Sequence, residues 1–202
     1  MSAPGLPYGS LGEGCVHLCV DMQRLFADGS LWATPWMRRV LPNVERIVAH
    51  KPRSTIFTRF IPAEHPGEGT GTWRRYYEKW SSMTLQIIGR EMVELLPNLA
   101  RFAPPAVIVD KKVYSPWMEG NLDALLAGSS VHTTVISGAE TDICVLATAL
   151  GAIDRGYRVV LVTDALCSSS DETHDALMTF YRQRLAQQVE TAETDAVLDN
   201  WR

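Results

Sequence analysis

The sequence predicts an α/β fold, specifically a three-layer α/β/α sandwich around a mostly parallel sheet. Three observations support this prediction. Short apolar runs rich in β-branched residues alternate with amphipathic stretches along the chain. The apolar runs are nearly continuous, as expected for strands of a parallel sheet covered on both faces. A length of 202 residues with 46% hydrophobic and 21% charged residues also fits one ordinary globular domain.

The strand candidates come first. Five runs have the length and composition of buried strands: residues 16–21, 54–60, 106–110, 131–137 and 158–163. A short sixth strand is expected near Val189, before the last predicted helix. Right-handed crossovers would join successive parallel strands and place helices on both faces of the sheet.

The helix candidates lie between these strands. The clearest spans residues 36–50, where Met37, Val40 and Val44 recur at helical spacing. Further helices are predicted at residues 91–96, 122–126, 143–155 and 171–187, with a last one ending at Trp201. Gly156 is a stop signal for the fourth, and Ser170 or Asp171 can cap the fifth. Residues 61–80 predict a long loop with some helix near its end.

Composition excludes several classes of protein. A net charge of −4 and a pI near 5.7 argue against a nucleic-acid-binding protein. The chain has no apolar run long enough to span a membrane, and residues 1–14 resemble a Pro/Gly-rich arm more than a signal peptide. Residues 15–202 are therefore expected to form a single domain. Cys15, Cys19, Cys144 and Cys167 suit neither a disulfide framework nor a structural zinc site, which predicts free thiols in a reducing cytoplasm.

Polar residues fall where the predicted strands end. In open parallel sheets, ligands bind beyond the carboxyl ends of the strands, so these residues are candidates for a site. The strands end on Asp21, Arg59, Asp110 with Lys111, the segment 138–141 and Asp164. Taken singly, Asp21 could simply cap a turn, and Lys111 could be a solvated surface residue. Their convergence on one rim predicts a chemical role.

Cys144 is the candidate nucleophile at this rim. It follows the segment 138–142 and lies in the first turn of the predicted helix 143–155. A helix N-terminus and a nearby cation such as Lys111 lower a thiol pKa, and Asp21 could accept the thiol proton. The preceding turn could present backbone N–H groups to an oxyanion. Asp142 opposes thiolate formation unless it faces away and caps the helix.

Four sequence blocks resemble the isochorismatase-like cysteine hydrolases, a family that includes nicotinamidases and N-carbamoylsarcosine amidohydrolase. HLCVDMQRLF at 17–26 is similar to the family strand that ends in Asp-x-Gln, and DKKVYSPW at 110–117 is similar to the block with the catalytic lysine. GAETDICVLATALGAIDRGY at 138–157 resembles the most specific block, with Cys-Val after a Gly-x-x-Thr-Asp turn. VVLVTDALCSSSDETHDAL at 159–177 resembles the closing strand and helix.

The resemblance implies a Rossmann-like, six-stranded sheet in the order 3-2-1-4-5-6 and a catalytic triad of Asp21, Lys111 and Cys144. It also implies a cis peptide bond between Ala139 and Glu140. That bond would direct the N–H groups of Glu140 and Cys144 towards one oxyanion. The resemblance further implies that the protein forms a homodimer or a larger homo-oligomer.

The sequence departs from the metal-binding nicotinamidases in one place. Those proteins carry Asp-x-His just after the second strand, whereas Phe60 and Pro62 stand at the matching positions here. Neither side chain can ligate a cation, and His65 is isolated nearby. We therefore expect no metal and no cofactor.

The predicted activity is metal-independent hydrolysis of a C–N bond in a small amide or ureide through a thioester on Cys144. The alternatives are a vinyl-ether hydrolase of the isochorismatase type and a non-catalytic redox sensor that pairs Cys144 with Cys167. The predicted substrate wall is a cluster in the loops after strands two and three: Arg59, Trp73, Tyr77, Trp80, Tyr114 and Trp117. Arg59 could hydrogen bond to a substrate oxygen or pair with Glu64 or Glu68. Several of the aromatic residues could simply pack within the loop, with no contact to a substrate.

Overall fold

The computed structural model describes residues 6–27 and 29–202. Within them, one six-stranded sheet runs in the order β3-β2-β1-β4-β5-β6, and every neighbouring pair of strands is parallel. The strands are β1 Cys15–Val20, β2 Thr55–Phe60, β3 Val107–Lys111, β4 Thr133–Ala139, β5 Arg158–Cys167 and β6 Val189–Ala192. The predicted fold class and strand order are therefore confirmed.

Helices cover both faces of the sheet. They are α1 Met37–His50, α2 Thr72–Lys79, α3 Leu85–Ile88, α4 Pro97–Ala100, α5 Asn121–Leu126, α6 Cys144–Asp154, α7 Asp171–Gln183 and α8 Thr194–Asn200. Short 3₁₀ turns, including Arg24–Phe26 and Arg90–Val93, lie in the connections. Ser170 is the N-cap of α7 and accepts a hydrogen bond from the backbone N–H of Thr173. The turn at Arg90–Val93 replaces the helix that was predicted at 91–96.

Side chains that alternate along the strands divide the core into two clusters. On β1, Cys19 belongs to the cluster that contains Val44 and Ile47 of α1, whereas Leu18 belongs to the cluster that contains Val145 of α6. All six residues of β1 and all seven of β4 are buried, as the continuous apolar runs predicted. The central strands thus hold the site rim on a rigid, dry support.

The edges of the sheet differ from the centre. β3 is an edge strand, and Val107, Ile108 and Asp110 are exposed, so the prediction of a fully buried third strand is wrong there. The physical reason is that an edge strand has a neighbour on one side only. β5 extends to Cys167, past the predicted end at residue 163, and a register shift lies between Ile136 and Gly138 on its partner β4.

The described part of the N-terminal arm packs on the domain. Leu6 and Leu11 are buried, and Leu11 forms a bridge with Trp201. The guanidinium of Arg158 donates a hydrogen bond to the carbonyl of Gly9. Residues 1–5 of the predicted arm lie outside the described residues. None of the helices in the described ranges has the length and apolarity that crossing a bilayer requires.

Candidate active site

Three polar side chains are brought together at the carboxyl end of the sheet. Asp21 directly follows β1, Lys111 is the last residue of β3, and Cys144 is the first residue of α6. All three are buried, with 0%, 1% and 5% of the residue exposed, respectively. The sheet order places β2 between β1 and β3, so the long side chain of Lys111 must reach across β2 to meet Asp21.

Lys111 bridges the other two residues. Its Nζ lies 2.7 Å from Asp21 Oδ2 and 3.4 Å from Cys144 Sγ, and it donates a third hydrogen bond to the carbonyl of Val113. The ammonium also lies 5.2 Å from the centre of the Phe60 ring, a cation–π distance. The charge of Lys111 is thus matched by one carboxylate and directed towards one sulfur.

The electrostatic balance at Cys144 differs from the sequence-based expectation. Burial raises the pKa of the Cys144 thiol well above its ordinary value. Lys111 opposes this rise, and the Asp21 charge and hydrogen bond add to it. The expected net lowering of the thiol pKa is therefore wrong, because desolvation outweighs the cation. Cys144 is therefore a buried thiol with a raised pKa, in contact with the Asp21 carboxyl group and the Lys111 ammonium.

Asp21 is the carboxyl group paired with Lys111, and the backbone fixes its position. Its φ angle is +48°, which is uncommon for a residue with a side chain and is tolerated by Asp. Thr58 on β2 donates its hydroxyl proton to Asp21 Oδ1 at 2.6 Å, so the second carboxylate oxygen is also occupied. The Asp21 N–H in turn donates to the backbone carbonyl of Thr58 at 3.2 Å. These bonds hold the carboxylate towards Lys111.

The Gln of the Asp-x-Gln sequence, Gln23, has a structural role next to the site. Its side chain is fully buried and accepts a hydrogen bond from the N–H of Phe60 at 2.7 Å. Its amide group donates to the carbonyls of Phe60 and Val93. Gln23 thereby ties the end of β2 to the Arg90–Val93 turn and fixes the ring of Phe60 beside Lys111.

The turn at 138–142 connects β4 to the site. Gly138 has a φ of +110°, and a Cβ there would collide with the carbonyl oxygen of Val20, so only glycine fits between β1 and β4. The Ala139–Glu140 peptide bond is cis. The carbonyl of Glu140 accepts hydrogen bonds from the N–H groups of Ile143 and Val145.

Two consecutive serines after β5 hold the two acids of this turn. Ser169 Oγ donates to Glu140 Oε2 at 2.9 Å, and Ser168 Oγ donates to Asp142 Oδ1. Asp142 therefore hydrogen bonds to the connection after β5 rather than capping α6, whose N-cap is Ile143 with no side-chain cap. Burial raises the pKa of Glu140, and the hydrogen bond from Ser169 opposes that rise.

Cys144 opens into a cavity of about 290 Å³ with mostly aromatic walls. Six rings surround it: Phe26, Trp32, Phe60, Tyr76, Trp80 and Tyr114. Trp32 is central in this wall, with ring-centre distances of 5.8 Å to Tyr76 and 6.0 Å to Trp80. Leu31, Ile143, Glu140 and Ser169 complete the lining. The volume suits a small planar ligand.

Of the six residues predicted for the substrate wall, Tyr114 and Trp80 line this cavity. Arg59 does not, because it forms two hydrogen bonds with Asp110 and one with Glu94 on the outer side of β2 and β3. Its partners are therefore neither a substrate nor the predicted Glu64 or Glu68. The alternation of side chains along β2 is the cause, since the next residue, Phe60, faces the cavity.

The three remaining aromatic predictions also lie outside this cavity. The indole N–H of Trp117 donates to the carbonyl of Thr148, and its ring packs in the core on Tyr157. Trp73 and Tyr77 line a neighbouring cavity of about 380 Å³ together with Lys112 and Arg90. Trp73 supports the wall indirectly, because its ring centre lies 4.9 Å from that of Tyr114.

The sequence-based wall missed residues from the connections after β1 and β5. Phe26, Leu31 and Trp32 follow β1, and Ser169 follows β5. The rule that ligands bind beyond strand ends applies equally to these two connections, so it could have indicated them. Trp80 had been noted in the aromatic cluster, and it does line the cavity.

Two alternatives, a metal site and a thiol pair, can be compared with the described residues. Within residues 6–27 and 29–202, no cluster of three or more His, Cys, Asp or Glu side chains could hold a metal ion. Phe60 presents a ring to the cavity. Cys167 contacts Thr34 Oγ1 at 3.7 Å and belongs to the core cluster of α1, whereas Cys144 belongs to that of α6.

The fold and this site define the class of protein. The family model named isochorismatase domain matches residues 15–193, and the chain therefore belongs to the isochorismatase family of hydrolases. Nicotinamidase 3 of Arabidopsis thaliana is 26% identical over 165 residues, which cover 80% of this chain and 77% of that protein. Matches to other curated relatives span about half of the length of those relatives.

Solved structures share the whole fold at low sequence identity. A cysteine hydrolase from Pseudomonas syringae pv. phaseolicola has a TM-score of 0.81 at 23% identity, with 99% of this chain and 98% of that chain covered. N-carbamoylsarcosine amidase from Thermoplasma acidophilum has a TM-score of 0.70 at 22% identity, with 90% and 96% covered. At these identities the likeness establishes the fold.

Proposed function

We propose that this protein is a metal-independent cysteine amidohydrolase that cleaves a C–N bond of a small amide or ureide through a thioester on Cys144. One observation carries the proposal: Lys111 Nζ lies within hydrogen-bonding distance of both Asp21 Oδ2 and Cys144 Sγ, and Cys144 lines the aromatic cavity. A thiol, a base and a fixed cation in contact are the parts that nucleophilic attack on a carbonyl requires.

The first half of the reaction forms the thioester. Asp21 takes the proton of the Cys144 thiol as the sulfur attacks the amide carbonyl carbon. The carbonyl oxygen becomes an oxyanion, which accepts hydrogen bonds from the backbone N–H groups of Glu140 and Cys144. The C–N bond then breaks, and Asp21 gives its proton to the departing nitrogen, which leaves as ammonia or an amine.

The second half releases the acid. A water molecule loses a proton to Asp21 and attacks the thioester carbonyl through the same oxyanion geometry. The C–S bond breaks, and the proton on Asp21 returns to the sulfur. Lys111 retains its proton throughout, and its charge stabilises the carboxylate of Asp21 and the transient thiolate.

The raised pKa of the thiol fits this division of labour. A buried thiol that stays protonated at rest is protected from adventitious oxidation, because the thiolate is the reactive form. Among the relatives, the nicotinamidase and the N-carbamoylsarcosine amidase are named for C–N hydrolysis, which supports an amide over a vinyl ether.

The test is an ammonia-release screen over small amides and ureides. The Cys144→Ala protein is the blank, and Cys167→Ala is the matched control, because Cys167 is also buried but lies in the other core cluster. We expect Cys144→Ala to lower kcat/KM by at least about 10³-fold and Cys167→Ala to change it by less than about threefold. Intact-protein mass spectrometry with a slow substrate should trap an acyl group on Cys144.

Two results would contradict the proposal. One is wild-type turnover by the Cys144→Ala protein. The other is a substrate whose C–O bond is cleaved by both proteins while no amide is hydrolysed, which would favour a vinyl-ether hydrolase. A reversible disulfide between Cys144 and Cys167 after peroxide treatment, without hydrolysis of any compound, would favour a redox sensor.

A further inference from the structure

We propose that the carboxylate of Glu140 is a charge filter that restricts the site to amides with a neutral or positively charged aromatic acyl group and rejects amides that carry a carboxylate. The inference rests on the proposed function, because it names the substrate class of the same site. It concerns the side chain of Glu140, whereas the reaction uses only the backbone N–H of that residue.

The position of Glu140 in the cavity is fixed from two sides. Its backbone belongs to the turn that carries Cys144, and its carbonyl accepts the N–H of Val145 at 3.0 Å in the first turn of α6. Its Oε2 accepts the hydroxyl proton of Ser169 at 2.9 Å, from the connection after β5. Glu140 and Ser169 both line the cavity with Cys144. The carboxylate is thus anchored in the lining of the cavity that Cys144 also lines.

No cation in the lining balances this charge. The described residues that line the cavity include Glu140 but no Lys, Arg or His. Lys111 Nζ lies 3.4 Å from Cys144 Sγ, and its charge is already matched by Asp21 at 2.7 Å. Arg59 is bound to Asp110 and Glu94 on the outer side of the sheet. With Asp21, Lys111 and Glu140 counted together, the site carries a net negative charge.

The phenol groups of two tyrosines are also affected by the charge of Glu140. Tyr76 and Tyr114 line the cavity, and the pKa of each phenol is raised first by burial and then further by nearby negative groups that include Glu140. Glu140 therefore lies close enough to both phenol groups to contribute to the rise in their pKa, whereas Lys111 lowers that of Tyr114. An acyl group in the cavity would experience the same negative charge.

The remaining walls define the shape of the acyl group. Flat rings from Trp32, Phe60 and Trp80 suit a planar aromatic group, and ring faces attract a positive charge. A carboxylate in this space would lose its hydration, meet no cation and face Glu140. The chemistry points to aromatic amides without acidic substituents, including cationic ones.

The test compares three probes of one shape: benzamide, 4-carbamoylbenzoate and 4-(aminomethyl)benzamide. Their dissociation constants are measured by calorimetry on the Cys144→Ala protein, which binds without turnover. We expect the anionic probe to bind at least about tenfold more weakly than benzamide, and the cationic probe to bind no more weakly than benzamide. Glu140→Gln in the same background should reduce the anionic penalty by about tenfold.

Two further variants separate charge from structure. Glu78→Gln makes the same chemical change at an exposed position on α2, and it should leave the ratio of the dissociation constants within about twofold. Ser169→Ala keeps the charge but removes the hydrogen bond to Glu140, so the anionic penalty should fall by about threefold. This variant also serves if Glu140→Gln does not fold.

The outcomes distinguish the two proposals. Equal binding of the anionic and neutral probes, no binding of any probe, or an unchanged ratio in Glu140→Gln overturns the charge filter. If the binding order holds but the wild-type protein hydrolyses no amide, the amidohydrolase proposal fails and the filter stands. If amides are hydrolysed and 4-carbamoylbenzoate is turned over as fast as benzamide, the filter fails alone.

Discussion

Two ion pairs meet at neighbouring positions of β3 and have opposite roles. Lys111 faces inwards and pairs with Asp21, where both side chains are at most 1% exposed. Asp110 faces outwards and pairs with Arg59, whose side chains are 49% and 17% exposed. The sheet register aligns Arg59 with Asp110 and Phe60 with Lys111, so one outward and one inward row run across both strands.

The number and length of the hydrogen bonds in the two pairs do not predict how much each pair contributes to stability or to the site. The outer pair has the better hydrogen bonding, with two bonds from Arg59 to Asp110 at 2.8 and 3.0 Å and a third to Glu94. Water competes with these bonds, so the net free energy is small. The inner pair is dehydrated, and removal of either partner would leave an uncompensated buried charge. Burial, more than bond count, decides which pair can act on Cys144.

The largest expected effect comes from breaking the inner pair. Lys111→Met should lower the free energy of unfolding by about 3–5 kcal/mol, because Asp21 is left charged and buried. It should also lower kcat/KM for any amide substrate by at least about 10³-fold. Urea denaturation and steady-state kinetics measure the two effects.

A double variant shows whether the uncompensated charge of Asp21 causes the loss of stability in Lys111→Met. Lys111→Met combined with Asp21→Asn removes both charges and should recover more than half of the lost stability but none of the activity. If the double variant is less stable than Lys111→Met alone, the loss comes from packing and the comparison of the two pairs by burial is wrong.

The same alternation explains what could be predicted from the sequence. Strand ends follow from local apolar patterns, and parallel strands present their carboxyl ends at one rim, so Asp21, Lys111 and Cys144 could be placed together. Arg59 could not be placed, because the face on which it points depends on the pairing of β2 with β3. Trp32 lies in an irregular connection, where no periodicity indicates which side chains face inwards.

The net effect on the thiol pKa was also beyond the sequence. The residues around Cys144 can be named from their order, and Lys111 does lower the pKa as expected. The depth of burial is a property of the whole fold, including the rings contributed by the connection after β1. Desolvation therefore reversed a direction that had been inferred from two neighbours.

An intermediate effect is expected in the alkylation of Cys144. Since the folded thiol pKa is raised, the rate of reaction with iodoacetamide should keep increasing above pH 9, where an ordinary thiol has levelled off. Lys111→Met removes the cation that favours the thiolate and should slow alkylation at pH 8 by about tenfold. Asp110→Asn should leave this rate within about twofold, since Asp110 belongs to the outer pair.

Peptide mass spectrometry assigns the alkylated residue, because Cys15, Cys19 and Cys167 are also buried and their pKa values are also raised by burial. A rate for Cys144 that is constant from pH 7 upwards would mean a preformed thiolate. In that case Lys111 would dominate over burial, and Asp21 would not be needed to form the nucleophile.

The smallest effects are expected for the outer pair. Arg59→Gln and Asp110→Asn should each change the free energy of unfolding by about 1 kcal/mol or less, and less still in 1 M salt, because exposed charges are screened. Each should leave kcat/KM within about twofold, measured with the substrate that the ammonia screen identifies. A loss of more than tenfold in both variants would show that the outer pair positions Phe60 and Lys111 through the shared strands. The outward residues Arg59 and Asp110 would then act together with the inward residues Phe60 and Lys111, and burial would not separate the roles of the two ion pairs.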